Sequence, residues 1–437
     1  MEATYRLDFN EELKKCVKCG TCRAHCPLFV EMIGEVGSPR GRLSLIKLLQ
    51  EQRIKPSQEI ADIIYTCLLC KTCAVNCPSG VKTDEIVMAA RDFLNRALGE
   101  GVMKKAILRG FLTHPGFLAA CASLGALYQK IGLHSLLTKA NLFEHLPEKI
   151  GAVGKILPDI TQKPARKRIP TVTPAKGPKK FKVAYFIGCA TNLAYPDVPV
   201  AGVEVLSQNG CEVITVEGVK CCGMPHLAYG DTETAIKLAK HNMEVFFSED
   251  YDAIVCDCAS CTSTFRESYV HLFEPNSQEH EMAKKLQAKA MDLTKFLVAK
   301  TGVKPGGRIQ KAVVTYHDPC HLKRGQKVFK EPRAILKSIP GVEYAEMKEA
   351  DRCCGSAGSF TVMHHELSMK VLDKKIANVQ KVKPDYVATC CPTCTMQLSY
   401  GLKKAGIGAK VVHPVQLLAE SYKQLSKPPL SQEKCIV

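Results

Sequence analysis

Hydrophobic positions fall into three regimes along the chain. In residues 1–100 apolar side chains recur at helical spacing. Leu43, Leu45, Ile46, Leu48 and Leu49 in RGRLSLIKLLQEQ predict a helix over 40–52 with one buried face. TDEIVMAARDFLNRAL predicts a second helix over 83–98, with Thr83 as its N-cap. Residues 101–143 read differently: long apolar runs (AILRGFL, GFLAACASLGALY), no aspartate or glutamate, and the bases Lys104, Lys105, Arg109, Lys130 and Lys139. Pro115 and several glycines break this stretch, so a single spanning helix is not expected. Two arrangements fit it: helices lying in a membrane interface, or a helical pair buried inside a larger assembly. A proline-rich basic segment, KPARKRIPTVTPAKGPKK (163–180), then reads as an extended linker.

Beyond it the pattern becomes strand, helix, strand, helix, strand, and it occurs twice. FKVAYFIGC and KAVVTYHDPC open the two copies. VPVAGVEVLSQNG and EPRAILKSIPG follow as helices, TETAIKLAKHNMEVFFSE and HHELSMKVLDKKIANVQ as longer ones, and YDAIVCDCASC and PDYVATCCPTC as closing strands. Alternation of this kind predicts two small α/β units related by duplication. The expected fold class is α+β multidomain. It comprises an N-terminal helical domain (1–100), a basic apolar helical segment (101–157), a linker (158–180) and two α/β domains (181–305 and 306–437).

Composition changes this picture at one point, the 23 cysteines in 437 residues. MEATYRLDFNEELKKC carries no apolar signal core, so a cytoplasmic, reducing location is expected, where clustered cysteines bind metal more often than each other. The net charge of +17 favours an anionic membrane surface or an acidic partner, placing the chain peripherally on the cytoplasmic face of the membrane. No basic–aromatic alternation or nucleic-acid motif is present, so nucleic acid is not an expected partner. No G-x-G-x-x-G follows a strand and there is no P-loop, so no flavin or nicotinamide is expected on this chain.

The cysteines themselves form two kinds of pattern. C-x2-C-x2-C-x3-C-P occurs at Cys16, Cys19, Cys22 and Cys26, and again at Cys67, Cys70, Cys73 and Cys77. Three thiolates two residues apart converge on one [4Fe-4S] cube, and the fourth, before proline, serves the other cube. Cys16, Cys19, Cys22 and Cys77 are therefore expected to hold one cluster, and Cys67, Cys70, Cys73 and Cys26 the second. In the repeats, Cys189, Cys221, Cys222, Cys258 and Cys261 recur as Cys320, Cys353, Cys354, Cys391 and Cys394, at offsets of 131–133 residues. Glycine follows each double cysteine (Gly223, Gly355), which spares a Cβ where backbone lies against a cluster. Five thiols exceed the four that a cubane needs. Either one bridges irons in an unusual cluster or one does not ligate. Cys121, Cys211, Cys256, Cys390 and Cys435 remain; the first four are expected in packed elements. His317 and His321 flank Cys320, and His226 follows the first pair. These, with His114 and His134, are candidates for protonating a thiolate or a quinone oxygen.

The repeats, with "SPRGRLSLIK" (38–47) and "CCGSAGSF" (353–360), resemble the CCG cysteine-rich domains of heterodisulfide reductases and of the iron–sulfur subunits of glycolate, lactate and glycerol-3-phosphate dehydrogenases. The resemblance covers nearly the whole chain and is greatest to the glycolate oxidase type. It implies a ferredoxin-type domain with two [4Fe-4S] clusters, followed by one further iron–sulfur cluster in each CCG domain, of the noncubane kind in heterodisulfide reductases. The implied function is electron transfer in company with a FAD-containing 2-hydroxyacid dehydrogenase subunit of glycolate or lactate type, toward quinone or another membrane acceptor, with other electron-transfer subunits as further partners. The alternative is a heterodisulfide-reductase-type subunit that reduces a disulfide at a CCG-bound cluster, with Cys353, Cys354, His317 and His321 as candidate catalytic residues.

Overall fold

The computed structural model of the chain describes residues 9–32, 34–132, 136–137, 163–358 and 360–425, with positions 151, 153, 154, 156, 158 and 160. His134 and Cys435 lie outside the described residues.

The N-terminal part is helical: α1 (Phe9–Lys14), α2 (Thr21–His25), α3 (Pro39–Gln50), α4 (Gln58–Tyr65), α5 (Thr72–Val75) and α6 (Thr83–Leu98). Ser38 starts α3, its Oγ accepting from Gly41 N at 3.0 Å, and Pro39 takes the first helical position, where its missing N–H costs nothing. Leu43, Ile46 and Leu49 are buried, and Leu45 and Leu48 flank them half-buried. At α6 one expectation is corrected. Thr83 is the first helical residue, and Lys82 occupies the cap position without a side-chain hydrogen bond. A hydroxyl has no capping role once its own residue is helical; Thr83 is buried instead.

Helix α7 (Val102–Lys105) continues into a π-helical turn at Ala106–Phe111, and α8 (Pro115–Lys130) departs from it at 104°. Pro115 opens α8, as its lack of an N–H dictates. Among the described residues no single helix is long and apolar enough to cross a membrane, although this bent pair together has the length and composition.

Two parallel sheets follow. The first runs β1 (Val172–Thr173), β3 (Cys211–Thr215), β2 (Phe181–Phe186), β4 (Ala253–Cys256), β5 (Ala290–Asp292), with only the edge strand β1 antiparallel. The second runs β7 (Val342–Tyr344), β6 (Ala312–Tyr316), β8 (Tyr386–Ala388), β9 (Lys410–Val412), all parallel. In the parallel part of each sheet the chain starts at an inner strand (β2 or β6), adds one neighbour on one side, then crosses to the other. The carboxyl ends of β2 and β4, and of β6 and β8, therefore form a topological switch point, where α/β sheets present their ligand sites.

The strand VAYFI is apolar without interruption because it is buried on both faces. Val183, Tyr185 and Ile187 enter a core shared with the second sheet, while Ala184 and Phe186 enter a core shared with α3, α4 and α6. The three parts thus join through β2. Further links are Ala259 N to Cys390 O (2.9 Å) between the halves, and Tyr65 OH to Tyr229 O (2.9 Å) between α4 and the first half.

Candidate iron–sulfur sites

Both N-terminal cysteine loops wind the same way. Lys18 and Gly20 after Cys16, and Leu69 and Lys71 after Cys67, stand at positive φ of 56°, 86°, 50° and 60°. Three of these four are not glycine, so both loops carry backbone strain at the turn that converges the thiols. Helices α2 and α5 then pack against one another. This brings Cys26 of the first motif into one pocket with Cys67, Cys70 and Cys73 of the second, beside Pro27, Leu28 and Arg42. Burial pushes the Cys26 and Cys70 thiols up, Cys70 to about 12. Arg42 is buried under this pocket, giving Nε to Ile63 O (3.2 Å) and Nη2 to Thr66 Oγ1 (2.8 Å). Lys71, half-buried, reaches Asp84 (3.0 Å) and Glu267 of the first half (3.5 Å). Cys16, Cys19 and Cys22 lie nearer the surface, with Cys19 exposed and bonded to Thr21 Oγ1 at 3.4 Å. Cys77 and Cys16 pack against one hydrophobic cluster.

All ten repeat cysteines line a single cavity of about 350 Å³. Each half delivers its thiols from the carboxyl ends of its strands: Cys189 after β2, Cys221 and Cys222 after β3, Cys258 and Cys261 after β4, with the same placement after β6, β7 and β8. Thiol contacts repeat as well. Cys189 neighbours Cys221 as Cys320 neighbours Cys353, and Cys222 neighbours Cys261 as Cys354 neighbours Cys394, each pair close enough for its thiols to interact. Across the junction Cys258 bonds Cys391, and Ser260 Oγ lies 3.6 Å from Cys391 Sγ. Cys391 is held well below the ordinary thiol range because it accepts from Cys258 and Cys394. Cys394, whose one thiol proton is shared between Cys354 and Cys391 and which is buried, is pushed up. No disulfide joins any described cysteine.

Gly223 and Gly355 both stand at φ +86°, and a Cβ on Gly355 would meet Ser368 O at 2.6 Å. Gly355 N also donates to Cys353 Sγ at 3.4 Å, so the same residue meets the helix His365–Val382 on one side and a thiol on the other. Cys211, Cys256 and Cys390 are buried, and Cys121 is half-buried in α8. Tyr316 OH donates to Cys390 Sγ at 3.4 Å where, in the first half, Tyr185 OH donates to Asp257 Oδ2 at 3.0 Å. Cys390 therefore corresponds to Asp257, not to Cys256.

The histidines divide. His317 is buried with its ring beside Cys354 and Cys394, the three ligand atoms lying within 4.8 Å of one another. Burial first, then Lys375, lowers it to about 3. His321 pairs Nε2 with Leu69 O at 3.2 Å and His226 pairs Nε2 with Leu108 O at 2.9 Å, each tying a repeat to an N-terminal segment. His114 is exposed and bonded to Thr113 and Gly110.

Sequence reasoning missed the wall of the cavity. Cys67, Leu68 and Leu69 line it from the dicluster side, and Ile107, Leu108 and Leu112 from the π-helical turn. Arg91 braces that wall, giving hydrogen bonds to the carbonyls of Ala228 (2.7 Å), Ile64 (3.1 Å), Tyr65 (3.1 Å) and Cys67 (2.6 Å). An arginine among the several charged residues of this amphipathic helix gives no warning of this; only its buried position reveals it.

Comparison with known proteins accords with this arrangement. A 4Fe-4S dicluster domain profile matches residues 12–81 and a cysteine-rich domain profile matches twice, at 183–266 and 314–399. A profile for the linker region of the glycolate oxidase iron-sulfur subunit matches residues 99–157. The chain is 34% identical over 418 residues to a probable glycolate oxidase iron-sulfur subunit of Bacillus subtilis (strain 168), covering 94% of each. It is 27% identical over 420 residues to a subunit of the fumarate reductase (CoM/CoB) of Methanothermobacter marburgensis, covering 94% of this chain and 73% of that protein. Lactate utilization protein A of Bacillus subtilis matches at 33% over 238 residues, 54% of this chain and 99% of that protein. Helical dicluster domain and paired cysteine-rich domains define the class: an iron–sulfur oxidoreductase subunit. Within that class the chain belongs to the glycolate oxidase iron-sulfur subunit family.

Proposed function

We propose that this chain is the electron-transfer subunit of a FAD-linked 2-hydroxyacid dehydrogenase of glycolate or lactate type, delivering electrons toward quinone from the cytoplasmic face of the membrane. The observation that carries this reading is the contiguity of the thiol sets. Cys26 and Cys70 pack in one hydrophobic cluster with Cys353 and Cys320, so the dicluster pocket and the repeat cavity share a wall. In this reading Cys16, Cys19, Cys22 and Cys77 hold one [4Fe-4S] cluster, and Cys26, Cys67, Cys70 and Cys73 the other. The five thiols of each repeat hold a further centre. The donor chemistry fits: free thiols, converging and unpaired by disulfides, suit iron. Clusters bound there supply one-electron carriers. The protein's part is to space them, exclude water with Leu68, Leu69 and Leu108, and fix the loops through Arg42 and Arg91. The test is anaerobic purification with partners retained. A co-purifying FAD protein whose hydroxyacid substrate bleaches the iron–sulfur absorbance supports the reading; absorbance that no hydroxyacid bleaches rejects it.

A second reading has its own observation. All ten repeat thiols open into one cavity that His321 also lines, with His317 buried beside Cys354 and Cys394, an arrangement that suits cleavage of a bound disulfide. Replacing Cys353 or Cys354 then abolishes disulfide reduction while the dicluster spectrum persists. A parent protein inert toward disulfides rejects this reading.

A further inference from the structure

Lys375 is wholly buried in the helix His365–Val382, yet it makes no ion pair among the described residues. Its ammonium donates to two backbone carbonyls, Glu349 O at 2.6 Å and Ala350 O at 3.2 Å, with Met347 Sδ at 4.0 Å. These carbonyls belong to the turn that leads into Cys353 and Cys354. A buried ammonium is costly unless negative charge stands near it. The carboxylates within range are engaged elsewhere. Asp318 is held by Arg333 through two hydrogen bonds of 2.8 Å, and Asp351 by Lys323 at 3.0 Å. Glu349 is held by Arg352 and Asn378, each at 3.1 Å. Cys354 and Cys353, at the end of the turn that Lys375 holds, support its charge first, ahead of Asp351 and Asp318.

The first half answers the same structural need without charge. Asn242 stands 133 residues earlier, the same offset that separates Cys258 from Cys391, on the equivalent helix Thr232–Phe246. It braces the approach to Cys221 with neutral bonds, accepting from Lys220 N at 2.8 Å and donating to Cys221 O at 3.0 Å. The two halves are therefore alike in thiols and unlike in charge.

We propose that Lys375 is the fixed countercharge of the second-half thiol set, and that it gives the centre held there a higher reduction potential than its first-half counterpart beside Asn242. This rests on the reading that the repeat thiols hold iron–sulfur centres. Reduction of the second-half centre takes one electron, given up by the dicluster domain across the Cys70–Cys353 contact; the donor is oxidised, the acceptor reduced, and no proton moves. A nearby positive charge favours the state with the additional electron. Electrons entering from the dicluster side consequently settle first in the second half.

The test is a redox titration, followed by electron paramagnetic resonance, of the full chain purified anaerobically, compared with Lys375→Gln and Asn242→Lys. Lys375→Gln should shift one centre's reduction equilibrium about ten-fold toward the oxidised state, about 59 mV for a one-electron couple, leaving the others in place. Asn242→Lys should shift a different centre the opposite way. If Lys375→Gln does not fold, Asn242→Lys decides alone. Midpoints that coincide with the parent's in every folded variant overturn the proposal. A parent whose iron and sulfide account for the dicluster alone refutes instead the reading beneath it, before any variant is compared.

Discussion

Cys26 belongs by sequence to the first cysteine motif and by position to the pocket of the second. Cys26→Ser should therefore cost the cluster of Cys67, Cys70 and Cys73, with a loss of about four irons per chain, and spare the one near Cys16. Iron analysis with spectroscopy of the remaining cluster checks this; loss of the Cys16-side signal alone contradicts it. His413 makes a different prediction at the same scale. It is buried, its Nδ1 accepts from Val415 N at 3.2 Å, and its Nε2 has no partner among the described residues. Burial pushes it down to about 3. The folded chain keeps this ring neutral while the unfolded chain protonates it below about 6.5. Stability therefore rises with pH across that window and is lost as pH falls through it, by about 1.4 kcal/mol between about pH 7.5 and about 5.5. Urea unfolding of the parent and His413→Gln measures it: the variant's curve should be flatter by that amount, and equal slopes count against it.

At the scale of elements, the junction of α6 with the first half turns on Gly230. Its φ is +73°, and a Cβ there would stand 2.4 Å from Arg91 O, a backbone atom that cannot swing aside. Gly230→Ala should destabilise by about 2 kcal/mol or more, with a lower thermal midpoint; an unchanged midpoint contradicts the contact. β2, β4, β6 and β8 were legible in the sequence because each is an apolar run that closes at or just before a cysteine. β5 and β9 were not. Ala290–Asp292 and Lys410–Val412 are three residues long, include charged positions, and pair only because a neighbouring strand offers an edge. Cysteine spacing likewise marked every thiol that lines the repeat cavity. It could not reveal that two halves share that cavity, since sharing depends on how the sheets dock. Lys375 escaped for a related reason: a lysine in an amphipathic helix reads as solvated until packing shows it enclosed.

Across the whole molecule, apolar exposure concentrates on the bent pair α7–α8. Phe117, Leu124, Leu127 and Ile131 are all at least half exposed, and the segment carries basic and no acidic side chains through residue 143. Such a surface suits insertion into an anionic interface. Replacing Phe117, Leu124 and Leu127 with glutamine should release the protein from sedimenting membranes while its absorbance is retained. Sedimentation equal to the parent's rejects membrane contact through this pair.

The wall formed by Leu68, Leu69 and Leu108 has a consequence for how the protein is made. The N-terminal third leaves the ribosome first, so the part that closes the cavity exists before the cavity does. If the repeat thiols hold the centres proposed above, iron and sulfide have to pass this wall once it has docked, and maturation becomes a race between delivery and docking. Chain refolded in the presence of iron and sulfide should incorporate them several-fold faster than chain refolded first and supplied afterwards. Equal rates would mean that the wall opens readily.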